Sequence, residues 1–119
     1  MTTPKRVLVV DDQRPTREGL RALLGLLPGV VWVGAAATGG EAVALAAERR
    51  ADIVLMDVQM PEMDGLEATR RIKRQRPEVR VIVLTLHGDY RAQALAAGAD
   101  VFLVKGGPPE WLRSAICAV

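Results

Sequence analysis

The sequence predicts an α/β fold in which helices cover both faces of one central parallel β-sheet. Five short apolar runs are nearly continuous rather than alternating, which is typical of strands buried on both faces of a parallel sheet. Helical patterns separate the runs, and this regular alternation of strand and helix favours an α/β sandwich. The five apolar runs occupy residues 6–10, 30–35, 52–56, 80–84 and 100–104.

The first two predicted helices follow the first and second strands. Four leucines are spaced as one face of a helix, which we expect to end at Pro28-Gly29. An alanine-rich stretch follows Thr38, whose hydroxyl suits the N-cap position of the second helix. The four leucines of the first helix are Leu20, Leu23, Leu24 and Leu27.

The last three predicted helices have recognisable start and stop signals. Asp64 opens the third helix, which we expect to end before Pro77. Gly98 stands where a C-cap glycine would end the fourth helix. Pro108 and Pro109 open the fifth helix, because proline suits the first helical turn. The apolar stripe of the fifth helix consists of Leu112, Ala115, Ile116 and Val119.

Composition predicts one domain and excludes several classes of function. The chain has 119 residues, half of them hydrophobic, which is enough for one domain with a real core. Net charge is only +2, and the basic cluster at residues 70–76 has helical spacing, so we expect no direct nucleic-acid binding. The single cysteine, Cys117, excludes an internal disulfide and a cysteine metal cluster. No apolar run approaches the ~20 residues of a membrane span, and residues 1–6 begin no signal peptide, so we expect a cytoplasmic protein.

Polar residues interrupt the apolar pattern at the carboxyl ends of four strands. Asp11 and Asp12 follow the first run, Asp57 the third, Thr85 the fourth and Lys105 the fifth. Taken singly, each has an ordinary interpretation as a cap, a turn residue, a strand residue or a surface charge. Because ligands bind open α/β sheets at this edge, beside the point where the strand order switches, the joint placement predicts a functional site.

The chemistry available to this set of side chains involves a metal ion and a phosphoryl group. Three neighbouring carboxylates raise one another's pKa, and a divalent cation relieves their repulsion. Oxygen ligands without histidine or cysteine favour Mg²⁺ over Zn²⁺. A carboxylate beside Mg²⁺ can attack phosphorus to form an acyl phosphate, whose oxygens a lysine and a threonine can hold. The pattern therefore indicates that Asp57 is aimed at a substrate.

A family resemblance rests on four stretches: VLVVDDQ, DIVLMDVQMPEMDGLEATRRI, VIVLTLHGD and ALAAGADVFLVK. In that order they resemble the acidic-pair, phosphorylation-site, switch-threonine and lysine segments of a bacterial two-component response-regulator receiver domain. The stretches DGLEATR and GGPPEWLRSAI are most similar to its NarL/FixJ subfamily, of the LuxR type. The resemblance covers the whole chain. It implies a flavodoxin-like (βα)5 three-layer sandwich, strand order 2-1-3-4-5, and a single receiver domain over residues 1–119.

The resemblance also implies the ligands of a Mg²⁺ site around the phosphoacceptor. Asp57 matches the family's phosphoacceptor and is itself a metal ligand. Asp12 matches the direct ligand, whereas Asp11 acts mainly through water or as a charge. The backbone carbonyl of Gln59 completes the implied set.

The remaining implied roles concern the switch. Thr85 is expected to hydrogen-bond the phosphoryl group, and Lys105 to pair with it. Phe102 falls at the rotating aromatic position, and we expect its ring to be outward or mixed without phosphate and buried with it. Gln59 and His87 stand at positions that tune hydrolysis in the family, although a simple exposed side chain is the favoured interpretation of His87.

The sequence departs from the family pattern at two positions. Gly106-Gly107 replaces the proline that usually follows the lysine, so we expect a trans bond after Lys105 and unusual dihedral angles at the glycines. Phe102 lacks the hydroxyl of the tyrosine that is frequent at its position. Trp111 lies beside the apolar stripe of the fifth helix, where it is either an interface anchor or a locally packed side chain.

The expected function is that of a regulatory phosphoacceptor, not an enzyme, with slow autodephosphorylation. The implied partners are a sensor histidine kinase and, on phosphorylation, a second copy of the chain, with no membrane partner. A DNA-binding effector domain is expected beyond Val119. Two alternatives stay open, namely a phosphorylation-independent binding module and a haloacid-dehalogenase-like phosphatase, although Gln59 replaces the second acid of the latter.

Overall fold

Five parallel strands form one central sheet in the order β2-β1-β3-β4-β5. The computed structural model describes residues 3–117. The strand order and the parallel pairing confirm the predicted α/β fold. The strands are β1 (Lys5–Val10), β2 (Val30–Ala36), β3 (Ile53–Met56), β4 (Arg80–Thr85) and β5 (Val101–Val104).

Five helices alternate with the strands, as the sequence predicts. The Thr38 hydroxyl accepts a hydrogen bond from the Glu41 backbone N–H, and the Asp64 carboxylate caps the third helix in the same way. A single 3₁₀ turn (Gly88–Tyr90) precedes the fourth helix and was not predicted. The helices are α1 (Arg14–Leu24), α2 (Gly39–Glu48), α3 (Gly65–Gln75), α4 (Arg91–Ala96) and α5 (Pro109–Cys117).

The first helix ends earlier than predicted. It stops at Leu24 rather than at Pro28-Gly29, because Gly25 caps it and the chain tightens into successive turns. In these turns the backbone N–H of Leu27 donates to the carbonyl of Leu24. Leu27 still lies in the core at 6% exposure, so the spacing of the leucines identified the buried side chains but not the end of the helix.

Two cores lie on opposite faces of the sheet. Alternate residues of each strand point to opposite faces, so Leu8 and Val10 join one core while Val7 and Val9 join the other. Helices α2, α3 and α4 cover the first core, and α1 and α5 cover the second. In α5, Leu112, Ala115 and Ile116 are buried as predicted, whereas Val119 lies outside the described residues.

The sheet topology creates the predicted edge for a site. Strand β1 lies between β2 and β3, so the chain winds to one side of β1 and then to the other. The carboxyl ends of β1 and β3 are therefore neighbours at the switch point, with β4 and β5 beside them. Among the helices described, none is long and apolar enough to cross a membrane.

Candidate functional site

Three carboxylates meet at the ends of β1 and β3. Oxygen atoms of Asp11, Asp12 and Asp57 all lie within 4.8 Å of one another. Asp11 is 1% exposed and Asp57 is 7% exposed, while Asp12 is more open to solvent. The predicted convergence of these residues is confirmed.

Asp11 is held from several directions. Its Oδ1 accepts a hydrogen bond from the Gln13 backbone N–H at 2.9 Å, and its Oδ2 accepts one from Lys105 Nζ at 2.5 Å. Arg17 Nη1 donates to the Asp11 backbone carbonyl at 2.8 Å, so the first turn of α1 is tied to the end of β1. The pairing of Lys105 with Asp11 compensates the charge of a nearly fully buried carboxylate.

Asp57 continues the line of β3 into the cluster. Its backbone N–H donates to the Val10 carbonyl at 2.9 Å, and its Oδ1 accepts from the Val58 N–H at 2.9 Å. Burial raises the pKa of the Asp57 carboxyl group. Lys105, whose Nζ lies 3.6 Å from Oδ1, opposes this rise, and the charge of Asp11 adds to it. Asp57 is therefore a poorly solvated carboxylate beside one cation.

The segment after Asp57 is locked by a close backbone approach. The Gly65 N–H, at the start of α3, donates to the Val58 carbonyl at 2.8 Å. A Cβ atom at residue 65 would collide with the carbonyl oxygen of Asp57. Only glycine fits here without a backbone shift, and this requirement was missed in the sequence, where Gly65 appears as an ordinary turn residue.

Lys105 reaches the carboxylates from the end of β5. Its backbone N–H donates to the Thr85 carbonyl at 2.7 Å, which extends the pairing of β4 with β5 to the site. Gly106 has a φ of 86°, a left-handed conformation that favours glycine. Residues 3–117 contain no cis peptide bond, so the predicted trans bond after Lys105 is confirmed.

Thr85 and Phe102 lie on the neighbouring strands β4 and β5, and both are buried. Thr85 is 1% exposed, and its hydroxyl oxygen accepts a long hydrogen bond, 3.4 Å, from the His87 backbone N–H. Phe102 is 8% exposed and packs in the core beneath α4. The ring therefore has the buried position, not the outward or mixed one that we expected without phosphate, and its movement stays a prediction.

The side chain of Gln59 is held by a residue that the sequence did not single out. Gln59 Nε2 donates to the Tyr90 hydroxyl at 3.1 Å across 31 positions of sequence. The His87 and Tyr90 rings meet edge to face, with centroids 6.2 Å apart. No short motif or periodicity joins residues 59 and 90, so only the folded arrangement of the two loops identifies Tyr90.

One cleft of about 200 Å³ collects most of the predicted side chains. Asp57 and Lys105 both line it, so a small anionic group in the cleft would lie beside both the carboxylate and the ammonium. An all-oxygen donor set of three clustered carboxylates fits a hard divalent cation such as Mg²⁺. The residues lining the cleft are Asp12, Gln13, Asp57, Gln59, Thr85, Leu86, His87 and Lys105.

The family model described as the response regulator receiver domain matches residues 7–117, which includes every residue of the cleft. This chain belongs to the response regulator receiver domain family. The predicted family is confirmed, and with it the regulatory class of the chain.

Curated response regulators are similar to this receiver domain over about half of their own length. The response regulator UvrY of Escherichia coli strain K12 is 42% identical over 115 residues, which is 95% of this chain and 53% of UvrY. The response regulator GacA of Pseudomonas aeruginosa is 39% identical over 113 residues, 93% of this chain and 53% of GacA.

Solved receiver domains have the same fold. A LuxR-family two-component response regulator from Aurantimonas sp. SI85-9A1 has a TM-score of 0.90 at 37% identity, covering 95% of this chain and 82% of that one. The response regulator domain of Thermotoga maritima CheB has a TM-score of 0.81 at 34% identity, covering 94% of this chain and 88% of that one.

Proposed function

We propose that this receiver domain accepts a phosphoryl group on Asp57 from a sensor histidine kinase, with Mg²⁺ bound beside it. The observation that carries the proposal is a buried carboxylate 3.6 Å from a lysine ammonium, with two further carboxylates within 4.8 Å. A CheX–CheY complex with BeF₃ and Mg²⁺ from Borrelia burgdorferi has the same fold, with a TM-score of 0.86 at 29% identity over 95% of this chain and 87% of that one. Its bound groups are the kinds of ligand that we propose for this cleft.

The two carboxylate oxygens of Asp57 have different surroundings, which supports a proposal for the reacting atom. Oδ1 is held by the Val58 N–H and faces Lys105. Oδ2 is therefore the oxygen that we propose forms the bond to phosphorus, while the P–N bond of the kinase phosphohistidine breaks and the imidazole keeps the electron pair. The fixed backbone around Asp57 places this oxygen before the donor arrives, which lowers the entropic cost of the transfer.

Asp11, Asp12, Asp57 and the backbone carbonyl of Gln59 are the proposed ligands of Mg²⁺. The ion would neutralise charge on the phosphoryl oxygens as they approach the carboxylates. Lys105, which pairs with Asp11 in this structure, would pair with the phosphoryl group once that group is bound to Asp57. The Thr85 hydroxyl would donate a hydrogen bond to a second phosphoryl oxygen.

The proposed cycle ends with slow hydrolysis of the acyl phosphate, in which the domain regulates rather than turns over a substrate. Gln59 replaces the second acid of a haloacid-dehalogenase-like phosphatase, which speaks against that alternative. A phosphorylation-independent module would not need a lysine beside a buried carboxylate. Labelling of Asp57 separates these possibilities.

The proposed output is transcriptional. The curated relatives are about twice as long as the matched region, and similar structures include LuxR-family regulators. We propose that residues 1–119 form the receiver domain of a cytoplasmic regulator whose DNA-binding effector domain follows Val119. Nucleic acid is then bound by that second domain and not by this one.

A second copy of the chain is the proposed partner after phosphorylation. Trp111 is 55% exposed, and its ring lies over Gly107, where a Cβ would be 2.9 Å away, so local packing and an anchor role are both compatible with its position. We expect Trp111→Ala to weaken dimerisation measured by sedimentation with a phosphate mimic bound. An unchanged dimerisation constant would leave only the local packing role.

Phosphate incorporation tests the proposed chemistry directly. Acetyl phosphate with Mg²⁺ should label the wild-type domain. Asp57→Asn should abolish labelling, because a neutral amide replaces the nucleophilic carboxylate. Asp12→Ala should reduce labelling through weaker metal binding, with recovery at higher Mg²⁺ concentration. Asp89→Asn, an exposed carboxylate outside the cleft, is the matched control and should label normally. Equal labelling of Asp57→Asn and wild type would contradict the assignment.

A further inference from the structure

We propose that Tyr90 is a positioning residue that sets the lifetime of the phosphoryl group on Asp57 by holding the side chain of Gln59. The inference rests on the proposed phosphorylation of Asp57. It assigns a role to a residue outside the cleft and links the position of α4 to the rate at which the acyl phosphate is hydrolysed.

The tyrosine hydroxyl has a position fixed by the core. The Tyr90 ring is partly buried and packs against the hydrophobic cluster beneath α4, so its oxygen is presented from a supported side chain. That oxygen accepts the hydrogen bond from Gln59 Nε2 at 3.1 Å. Gln59 itself is exposed on the loop after β3, so the phenol supplies an ordered partner for an otherwise free side chain.

Gln59 lines two neighbouring cavities. One is the cleft lined by Asp57 and Lys105, and the other is a cavity lined by Met60, Asp64 and Tyr90. Hydrolysis of an acyl phosphate needs a water molecule to approach phosphorus from the cleft. A fixed amide narrows that approach, whereas a released one moves aside and admits water.

Tyr90 also contacts a second residue that lines the cleft. The His87 ring, which lines the cleft, meets the Tyr90 ring edge to face at 6.2 Å. Tyr90 is the last residue of the 3₁₀ turn and the N-cap of α4. A displacement of α4 would therefore move the support of Gln59, which links the position of this helix to the access of water.

The test compares the decay of labelled domain after removal of the phosphodonor. Tyr90→Phe keeps the ring and its contact with His87 and removes only the oxygen. A neutral hydrogen bond is typically worth about a two- to tenfold change in an equilibrium, so we expect decay to accelerate by about two- to tenfold. Gln59→Ala should accelerate decay at least as much. Gln93→Ala, an exposed residue of α4, is the matched control and should decay as the wild type does.

The double variant separates positioning from a general structural effect. If Tyr90 acts through Gln59, Tyr90→Phe should have no further effect in the Gln59→Ala background. The side-chain amide resonances of Gln59 should also shift in Tyr90→Phe, which reports the contact independently of hydrolysis. Unchanged decay in Tyr90→Phe, or equal acceleration with and without Gln59, would overturn the inference while leaving the phosphorylation of Asp57 intact. A wild-type domain that takes no label would overturn both.

Discussion

The two halves of the cleft differ in how firmly the chain is held. On the β3 side, α3 has 11 residues, five of them buried, and a side-chain cap from Asp64. On the β4 side, α4 has six residues, one of them buried, and no side-chain hydrogen bond at its cap. We call the β3 side the firm half and the β4 side the loose half. The nucleophile candidate Asp57 belongs to the firm half, and the switch candidates Thr85 and Phe102 belong to the loose half.

This difference matches the two tasks of a receiver domain. Phosphoryl transfer requires a carboxylate in a fixed position, which the firm half supplies. A switch requires an element whose alternative positions differ by only a few kcal/mol, and lightly packed segments provide such elements. Two large apolar side chains on the loose half are also exposed, Leu86 at 68% and Leu95 at 45%.

The largest expected effect is the difference in stability between two glycine-to-alanine substitutions, one on each half. Gly65→Ala should cost about 3 kcal/mol of unfolding free energy, because its Cβ would collide with the Asp57 carbonyl and force a backbone shift. Gly88→Ala is the matched variant. Its Cβ would meet Val104 Cγ2 at 3.6 Å, an ordinary contact, so we expect no loss, or a gain of up to about 1 kcal/mol from reduced chain entropy.

Chemical denaturation of both variants measures the contrast. A Gly65→Ala domain that matches the wild type in its denaturation midpoint would show that the loop after β3 yields easily. The proposed rigidity of this half would then be wrong. Hydrogen exchange gives a second measure, because amides of α3 should be better protected than those of α4.

The same contrast explains what the sequence could and could not predict. The strands were predictable because a strand buried on both faces is a continuous apolar run, which can be recognised in the sequence without knowing the neighbouring strands. The caps at Thr38 and Asp64 were predictable because one side chain satisfies a nearby backbone N–H. The site carboxylates followed from the strand ends, since parallel strands bring their carboxyl ends to one edge.

Most of the unpredicted features depend on contacts that form only in the folded chain. The Gln59–Tyr90 hydrogen bond and the collision that forces glycine at residue 65 leave no trace in hydrophobic periodicity. Lys105 was expected beside the phosphoryl position, and its 2.5 Å bond to Asp11 depends on side-chain packing that a sequence pattern does not encode. The early end of α1 at Leu24 reflects the successive tight turns that follow it, in which the Leu27 N–H donates to the Leu24 carbonyl while the Leu27 side chain still reaches the core.

An intermediate effect is expected on the loose half from Thr85→Ala. Truncation of this buried side chain should cost about 1 kcal/mol of stability. Asp57 should still take label, because its own contacts with Val58 and Lys105 do not involve the Thr85 side chain. Phe102 is the single phenylalanine of the sequence, so fluorophenylalanine gives one fluorine resonance that reports its ring. In the wild type this resonance should shift when beryllofluoride and Mg²⁺ bind, and in Thr85→Ala it should not. A shift of equal size in both would mean that Thr85 does not connect the phosphoryl site to the ring.

The smallest expected effect is a pH-dependent gain of stability on the firm half. Burial raises the pKa of the Asp57 carboxyl group above its ordinary value of 3.8, so the folded state binds this proton more tightly than the unfolded chain does. The corresponding stabilisation is fully present below pH 3.8 and is lost as the pH rises through the raised pKa. At neutral pH, holding the charged carboxylate in this site therefore costs free energy. Asp57→Asn removes that charge.

In the presence of a chelator, Asp57→Asn should melt higher than the wild type at about pH 7, by up to about 1 kcal/mol or a few degrees, and the gap should close toward about pH 4. Asp89→Asn, on the exposed turn of the loose half, should follow the wild type throughout. A gap that widened on acidification would have the wrong sign for a raised pKa. It would mean that the Lys105 ammonium outweighs the cost of burial and that the firm half stabilises the carboxylate in its charged form.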